Sequence, residues 1–159
     1  MAGAATPATA QLARAGVPYT LHRYDVPADT ADYGRAVAAA LNVSAERLFK
    51  TLVVDVDGRL VVAVVPASRE LDLKAVAAAA GGKRAELAER AAAERATGYV
   101  RGGISPLGQR RRLPTIVDSS ADGFATILVS AGRRGWQVEL APEALVRLTG
   151  ATRAPIARQ

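Results

Sequence analysis

Lys50-Thr51-Leu52-Val53-Val54-Asp55-Val56, the dipeptide Asp57-Gly58, and then Arg59-Leu60-Val61-Val62-Ala63-Val64-Val65 form the stretch on which the fold reading turns. Two β-branched runs separated by Asp-Gly predict a β-hairpin with a type I′ turn, because both central residues of that turn need positive φ. Period-2 alternation places Lys50 on the face of Leu52, Val54 and Val56, with Thr51, Val53 and Asp55 on the other. A lysine therefore stands on the apolar side of a strand. Two readings are open for it. It either lays its stem along the surface and reaches solvent, or it ends at a cleft, where loss of water lowers its pKa and its ammonium becomes a fixed donor.

Working outward, strands come in runs separated by helices. Thr6-Pro7 opens a helix that Gly16 ends. Residues 17–24 read as an edge strand with Pro18 near its start. Tyr33 to Leu41 reads as an Ala-rich helix, and Ser44 caps a further turn. After the hairpin, Asp72 caps a helix stopped by Gly81-Gly82. Ala85 to Arg95 reads as a second helix, with Glu86 and Glu89 early and Arg95 late. Thr115 to Asp118 is a strand, 119–123 a turn, and Phe124 to Ala131 pairs with Trp136 to Leu140 as a second hairpin. Pro142 starts a closing helix to about Thr149. Strands grouped in this way predict α+β with a mostly antiparallel or mixed sheet and argue against a doubly wound parallel one. The length of 159 residues fits a single domain over residues 6–159, with residues 1–5 frayed.

A second stretch departs from what a core needs. TGYVRGGISPLGQRRRLPTIVD, Thr97 to Asp118, sets Gly98, Gly102, Gly103, Gly108, Pro106 and Pro114 around Ser105 and the arginines 101, 110, 111 and 112. Glycine lets backbone approach a ligand closely and proline keeps such a loop ordered. A solvated turn is the alternative reading. The charge supports contact: residues 1–96 hold 12 Lys+Arg and 11 Asp+Glu, whereas residues 97–159 hold 9 and 4. A basic excess beside a glycine-rich loop suits a polyanion.

The inventory also excludes chemistry. There is no cysteine and one histidine, His22, so thiolate sites, a cysteine nucleophile and an ordinary zinc site are not expected. No G-x-S-x-G turn presents a serine to His22. No cofactor and no metal are expected. No apolar run reaches bilayer length, and the N-terminus lacks a basic region followed by an apolar one; a soluble, cytoplasmic protein is expected.

Taken together, Leu21-His22-Arg23-Tyr24, Phe49-Lys50-Thr51-Leu52, Leu71-Asp72-Leu73-Lys74, the block from Thr97, and Ala125 to Ser130 with Arg134-Gly135 after it resemble the YbaK/EbsC family of aminoacyl-tRNA deacylases. These are relatives of the editing domain inserted in bacterial prolyl-tRNA synthetases. The resemblance implies a curved mixed sheet close to an open barrel, flanked by helices, and cytoplasmic trans-editing of mischarged tRNA: clearance of Cys-tRNA(Pro), in some members also Cys-tRNA(Cys). It implies Lys50 as the lysine that holds the ester and terminal ribose, with Gly102 and Gly103 as the carbonyl-binding backbone. Tyr24, Tyr33, Ile104, Ser105, Ser130 and Gln137 become the pocket set, with Tyr33 in place of a phenylalanine and Gln137 in place of an aspartate. Arg101, Arg110, Arg111 and Arg112 become contacts to acceptor-stem phosphates. The substrate cysteine's own thiol displaces the tRNA oxygen. The implied partners are tRNA(Pro) and prolyl-tRNA synthetase. A deacylase for another small amino acid such as alanine, and a non-catalytic RNA- or synthetase-binding module, are the competing readings.

Overall fold

The computed structural model describes residues 5–159; the fraying expected at the N-terminus falls, for residues 1–4, outside them. In chain order the elements are α1 (Pro7–Ala15), β1 (Thr20–Arg23), α2 (Tyr33–Ala40), β2 (Phe49–Val56), β3 (Arg59–Pro66), α3 (Leu73–Ala79) and β4 (Ala85–Leu87). They continue with α4 (Arg90–Thr97), β5 (Thr115–Asp118), a 3-10 turn (Ser119–Gly123), β6 (Ile127–Ser130), β7 (Trp136–Leu140), α5 (Pro142–Thr149) and β8 (Thr152–Ala154).

Asp57 at φ 51° and Gly58 at φ 88° give the two positive φ values the hairpin turn requires, and Val56 sits opposite Arg59. This β2–β3 pair is the spine of a five-stranded sheet ordered β4-β2-β3-β5-β8; a three-stranded sheet is ordered β1-β7-β6. β3–β5 and β5–β8 are parallel and the other pairs antiparallel. The architecture is mixed α+β. The described strands do not close into one ring: the two sheets meet at a single parallel bridge, Leu48 to Leu128.

That meeting point creates the site. One edge of β2 is shared, β6 touching its start at Leu48 and β4 pairing only with Val54 to Val56. Between them, from Lys50 to Leu52, no described strand lies alongside, and a hollow opens where β6 and β4 diverge.

Both faces of the large sheet are covered. Phe49, Val62, Val64 and Val117 pack with Leu12, Leu107, Leu140 and Leu145 on one side, and Val54, Val56, Val61, Ala63 and Val65 pack with Val76, Ile116 and Ile156 on the other. Each fully buried Leu or Ile contributes roughly 2–3 kcal/mol. A third cluster joins Val37 and Ala38 of α2 to Leu48, Ala67 and Leu128 under the hollow.

Two expectations need correction and a third point is new. Ala85 to Arg95 is not one helix: Ala85–Leu87 is the edge strand β4 and the helix begins at Arg90. The Asp57 carboxylate accepts from the amides of Lys83 and Arg84 and launches the chain alongside β2, whose open edge outweighs a modest helical preference. The strands expected over 17–24 and 124–131 shrink to Thr20–Arg23 and Ile127–Ser130. The third is an addition, β8, which runs parallel to β5 and was given no strand by its composition.

His22 is committed to the fold. Its Nε2 lies 2.7 Å from Glu139, which also accepts from Thr126 Oγ1 at 2.5 Å and Arg47 Nη1 at 3.1 Å. The Thr126 bond first, then the His22 and Arg47 bonds, hold the Glu139 carboxyl down at about 2, against an ordinary 4.5. A depressed carboxylate pKa adds stability above the unfolded value, and that stability is lost as pH falls through the folded one. Urea melts between pH 5 and pH 2 should therefore show wild type losing stability more steeply than Glu139→Gln. Parallel curves would contradict this.

Candidate active site

The hollow beside β2 has a volume of about 470 Å³. Its walls are Tyr33, Gly34 and Val37 of α2, Leu48 to Val53, Leu87 and Ala88, the helix α4 residues Arg90, Ala93 and Glu94, the loop residues Arg101, Gly102 and Ile104, and Ser130 and Gln137 from β6 and β7. The hairpin and the glycine-rich loop, well separated along the chain, thus meet across one space.

Among the described residues Lys50 has no ion-pair partner. Burial lowers its pKa first of all, Arg35 adds to that, and the negative charges of Glu70 and Asp32 oppose it. Lys50 lines the hollow, whereas Val54 and Val56 further along the same face pack against Val76 of α3. Two residues of the wall carry orphaned polar atoms: Thr51 Oγ1 and Gln137 Oε1 are buried with no partner among the described residues. Gln137 is 6% exposed, and its Nε2 makes only a long 3.5 Å contact to the Tyr24 hydroxyl. Whichever way that amide is turned, one end stays unpaired. Tyr24 and Tyr33 meet edge-on, with hydroxyls 3.3 Å apart. Burial, and then the bond to Tyr24, push the Tyr33 pKa up, so its hydroxyl stays protonated.

A family model for the aminoacyl-tRNA editing domain matches residues 27–148. Over 141 residues the chain is 43% identical to a candidate Cys-tRNA(Pro)/Cys-tRNA(Cys) deacylase, EbsC, of Enterococcus faecalis, covering 88% of this chain and 85% of that protein. The chain belongs to the aminoacyl-tRNA editing domain family. Among solved structures, that of the hypothetical protein APE2540 superposes with TM-score 0.85 at 26% identity, covering 96% of this chain and 100% of that one. The fold is also shared with a candidate trans-editing enzyme for prolyl-tRNA synthetase, at TM-score 0.83 and 22% identity over 100% of this chain and 99% of that chain. The resemblance read from the motifs is thereby established.

Within this editing domain the expected site residues divide. Lys50, Gly102, Tyr33, Ile104, Ser130, Gln137 and Arg101 line the hollow. Tyr24 stands behind it, touching Tyr33 and Gln137. Ser130 spends its hydroxyl oxygen on the Gly132 amide. Gly103 is outside the lining, and its amide donates to Val100 at 2.9 Å. A Cβ there would come within about 3.0 Å of the Arg133–Arg134 backbone, so glycine serves to let the loop seat on the turn before β7. Ser105 is fully buried and its Oγ accepts from the Leu107 amide.

The arginines divide too. Arg110 packs over Gly98 and Arg112 over Gly150, the left-handed glycines that end α4 and α5, where a cation suits the helix dipole. Arg111 and Arg112 line a separate hollow of about 310 Å³ with Arg14, which shares no residue with the one holding Lys50. Sequence reading missed Thr51, Arg90 and Glu94, which also line the hollow. Thr51 is one threonine among valines, and the others lie on segments whose local pattern is that of an ordinary solvated surface.

The editing domain offers no group of three or more His, Cys, Asp or Glu placed to hold a metal ion among the described residues. No helix among them is long and apolar enough to cross a membrane.

Proposed function

We propose that this editing domain clears cysteine from tRNA(Pro) in trans, and from tRNA(Cys) as its relative's name suggests, with the aminoacyl ester held in the hollow beside β2. The observation that carries the reading is that Lys50 and Gly102 line one space. Lys50 supplies an ammonium to the ester and ribose oxygens. Gly102 and Ile104 supply amides that donate to no acceptor among the described residues and suit a developing oxyanion. The only imidazole is tied to Glu139 elsewhere, so the attacking group comes from the substrate. The cysteine sulfur bonds to the carbonyl carbon, the bond to the ribose oxygen breaks, and the thiol proton ends on that oxygen. The released thiolactone is opened by water. Catalysis is then positioning and charge stabilisation. The reaction belongs in the cytoplasm, and selection of the tRNA falls to a partner such as prolyl-tRNA synthetase.

The orphaned polar atoms favour cysteine over alanine. A carbonyl oxygen such as Gln137 Oε1 only accepts, and a buried polar group left unpaired costs about 1–3 kcal/mol. A thiol brings a donor and a methyl group does not. Release should be compared on Cys-, Ser- and Ala-tRNA(Pro). Cysteine should leave fastest, and Thr51→Val or Gln137→Leu should narrow the Cys/Ala ratio by about fivefold to tenfold. Faster loss of alanine rejects the cysteine assignment. Absence of release from all three would leave a binding module.

A further inference from the structure

Beside the ester hollow lies a second one of about 600 Å³, lined by Ala28, Asp29, Thr30, Tyr33, Arg90, Arg101, Gly102 and Arg134. Tyr33, Arg90, Arg101 and Gly102 belong to both, so the two spaces share a wall. Two of its guanidiniums are fixed in the same manner. Arg134 donates through Nε to the Arg101 carbonyl at 3.0 Å, with its stem against Gly102. Arg90 donates through Nε to Glu94 at 3.2 Å, and that same carboxylate oxygen accepts the Arg101 amide at 2.9 Å. In both arginines the Nε is spent on the protein, and the terminal amino groups have no hydrogen-bond partner among the described residues. An arginine anchored this way is a preorganised fork for a phosphate oxygen pair. Arg133 stacks on Trp136 at 4.2 Å and steadies the turn that carries Arg134. Against three guanidiniums stand the carboxylates of Asp29 in the hollow and Glu94 behind Arg90, which leaves a net positive site.

We infer that this hollow seats the phosphodiester nearest the terminal nucleotide of the RNA, with Arg90 and Arg134 as its ligands and Arg101 completing the set. The inference rests on the ester occupying the neighbouring hollow, whose wall of Tyr33, Arg90, Arg101 and Gly102 this one shares. It assigns the first phosphates to Arg90 and Arg134, two residues absent from the glycine-rich block. Arg111 and Arg112, around a different hollow, are left to reach only more distant parts of the RNA.

The test compares kcat/KM on Cys-tRNA(Pro) with kcat/KM on cysteinyl-adenosine, the same ester without a phosphate. The Arg90→Gln/Arg134→Gln variant should lose at least about tenfold more on the tRNA than on cysteinyl-adenosine. Its slope of log kcat/KM against log salt should shrink by about 0.7 for each single-strand phosphate that is no longer neutralised. Arg134→Lys, which keeps the charge but not the fork, should recover part of the loss on tRNA. Equal losses on both substrates would show that the arginines only brace the loop, and would overturn the site. So would an unchanged salt slope, or a larger tRNA-selective loss from Arg111→Gln/Arg112→Gln. If wild type cleaves neither substrate, the deacylase reading fails by itself. Anisotropy of a labelled single-stranded RNA ending in CCA then decides the phosphate site: binding weakened in the double variant supports it, and binding unchanged or absent in wild type overturns it.

Discussion

Lys50→Ala is expected to lower kcat for Cys-tRNA(Pro) by at least about 10²-fold while the domain stays folded. Loss of a single preorganised charge or donor at a reacting ester is typically worth about 10²–10³ in rate, and Lys50 is the one lysine among the described residues that lines the hollow. Lys50→Arg should not restore the rate, because a planar fork cannot replace a compact ammonium at the end of a half-buried stem. Stability should move the other way. Burial holds the Lys50 pKa below its ordinary value, so the folded state binds this proton less tightly than the unfolded one. The penalty is full below the folded pKa and fades as pH rises from there toward 10.5. Lys50→Met, which keeps the volume and removes the charge, should therefore melt no lower than wild type at pH 7 and be inactive. A variant that is inactive and also unfolded would make the lysine structural. An active one would remove the ester assignment.

Asp118→Ala should cost about 3 kcal/mol in urea unfolding, as much as truncating a buried core side chain. Asp118 is 3% exposed and ends β5. One carboxylate oxygen accepts the amides of Ile156 and Ala157 at 2.9 and 3.0 Å, and the other accepts the Ser120 amide and hydroxyl. Alanine leaves two buried amides unpaired, each costing about 1–3 kcal/mol. It also frees the segment that places Ile156, fully buried, in the core. Asp118→Asn, which keeps one acceptor, should cost less than half as much. Hydrogen exchange should locate the damage in residues 152–158. A loss below about 1 kcal/mol, or protection unchanged there, would contradict this role.

The two substitutions differ in how far the residues could be read beforehand. Lys50 stood out because alternation along a short strand is local, and a charge on the apolar face breaks it. The Asp-Gly turn was legible for the same reason: two positive φ values suit few residue pairs. Asp118 gave no signal, since an aspartate after Thr-Ile-Val is an ordinary strand end and its four donors come from 2 to 39 residues away. Ala85–Leu87 was read as helix because its strand partner is a long-range neighbour. In the glycine-rich block the composition marked an irregular loop apart from the core, but it could not separate Gly102, which lines the hollow, from Gly103, whose amide closes a turn on Val100.

The sequence alone determined the elements with local causes: the capped helices α1, α3 and α5, the hairpin β2–β3, the pairing of β6 with β7, the lysine on the apolar face, and membership in the editing family through its motifs. Tertiary structure decided the rest. Two strands diverge from one edge of β2 and leave a hollow there, whose wall holds Thr51 and Gln137 with unpaired polar atoms, and Arg90 and Arg134 meet around the neighbouring one. Alternation and turn chemistry act over a few residues, whereas a cavity is a gap between elements that are distant along the chain, and no local pattern encodes where they part.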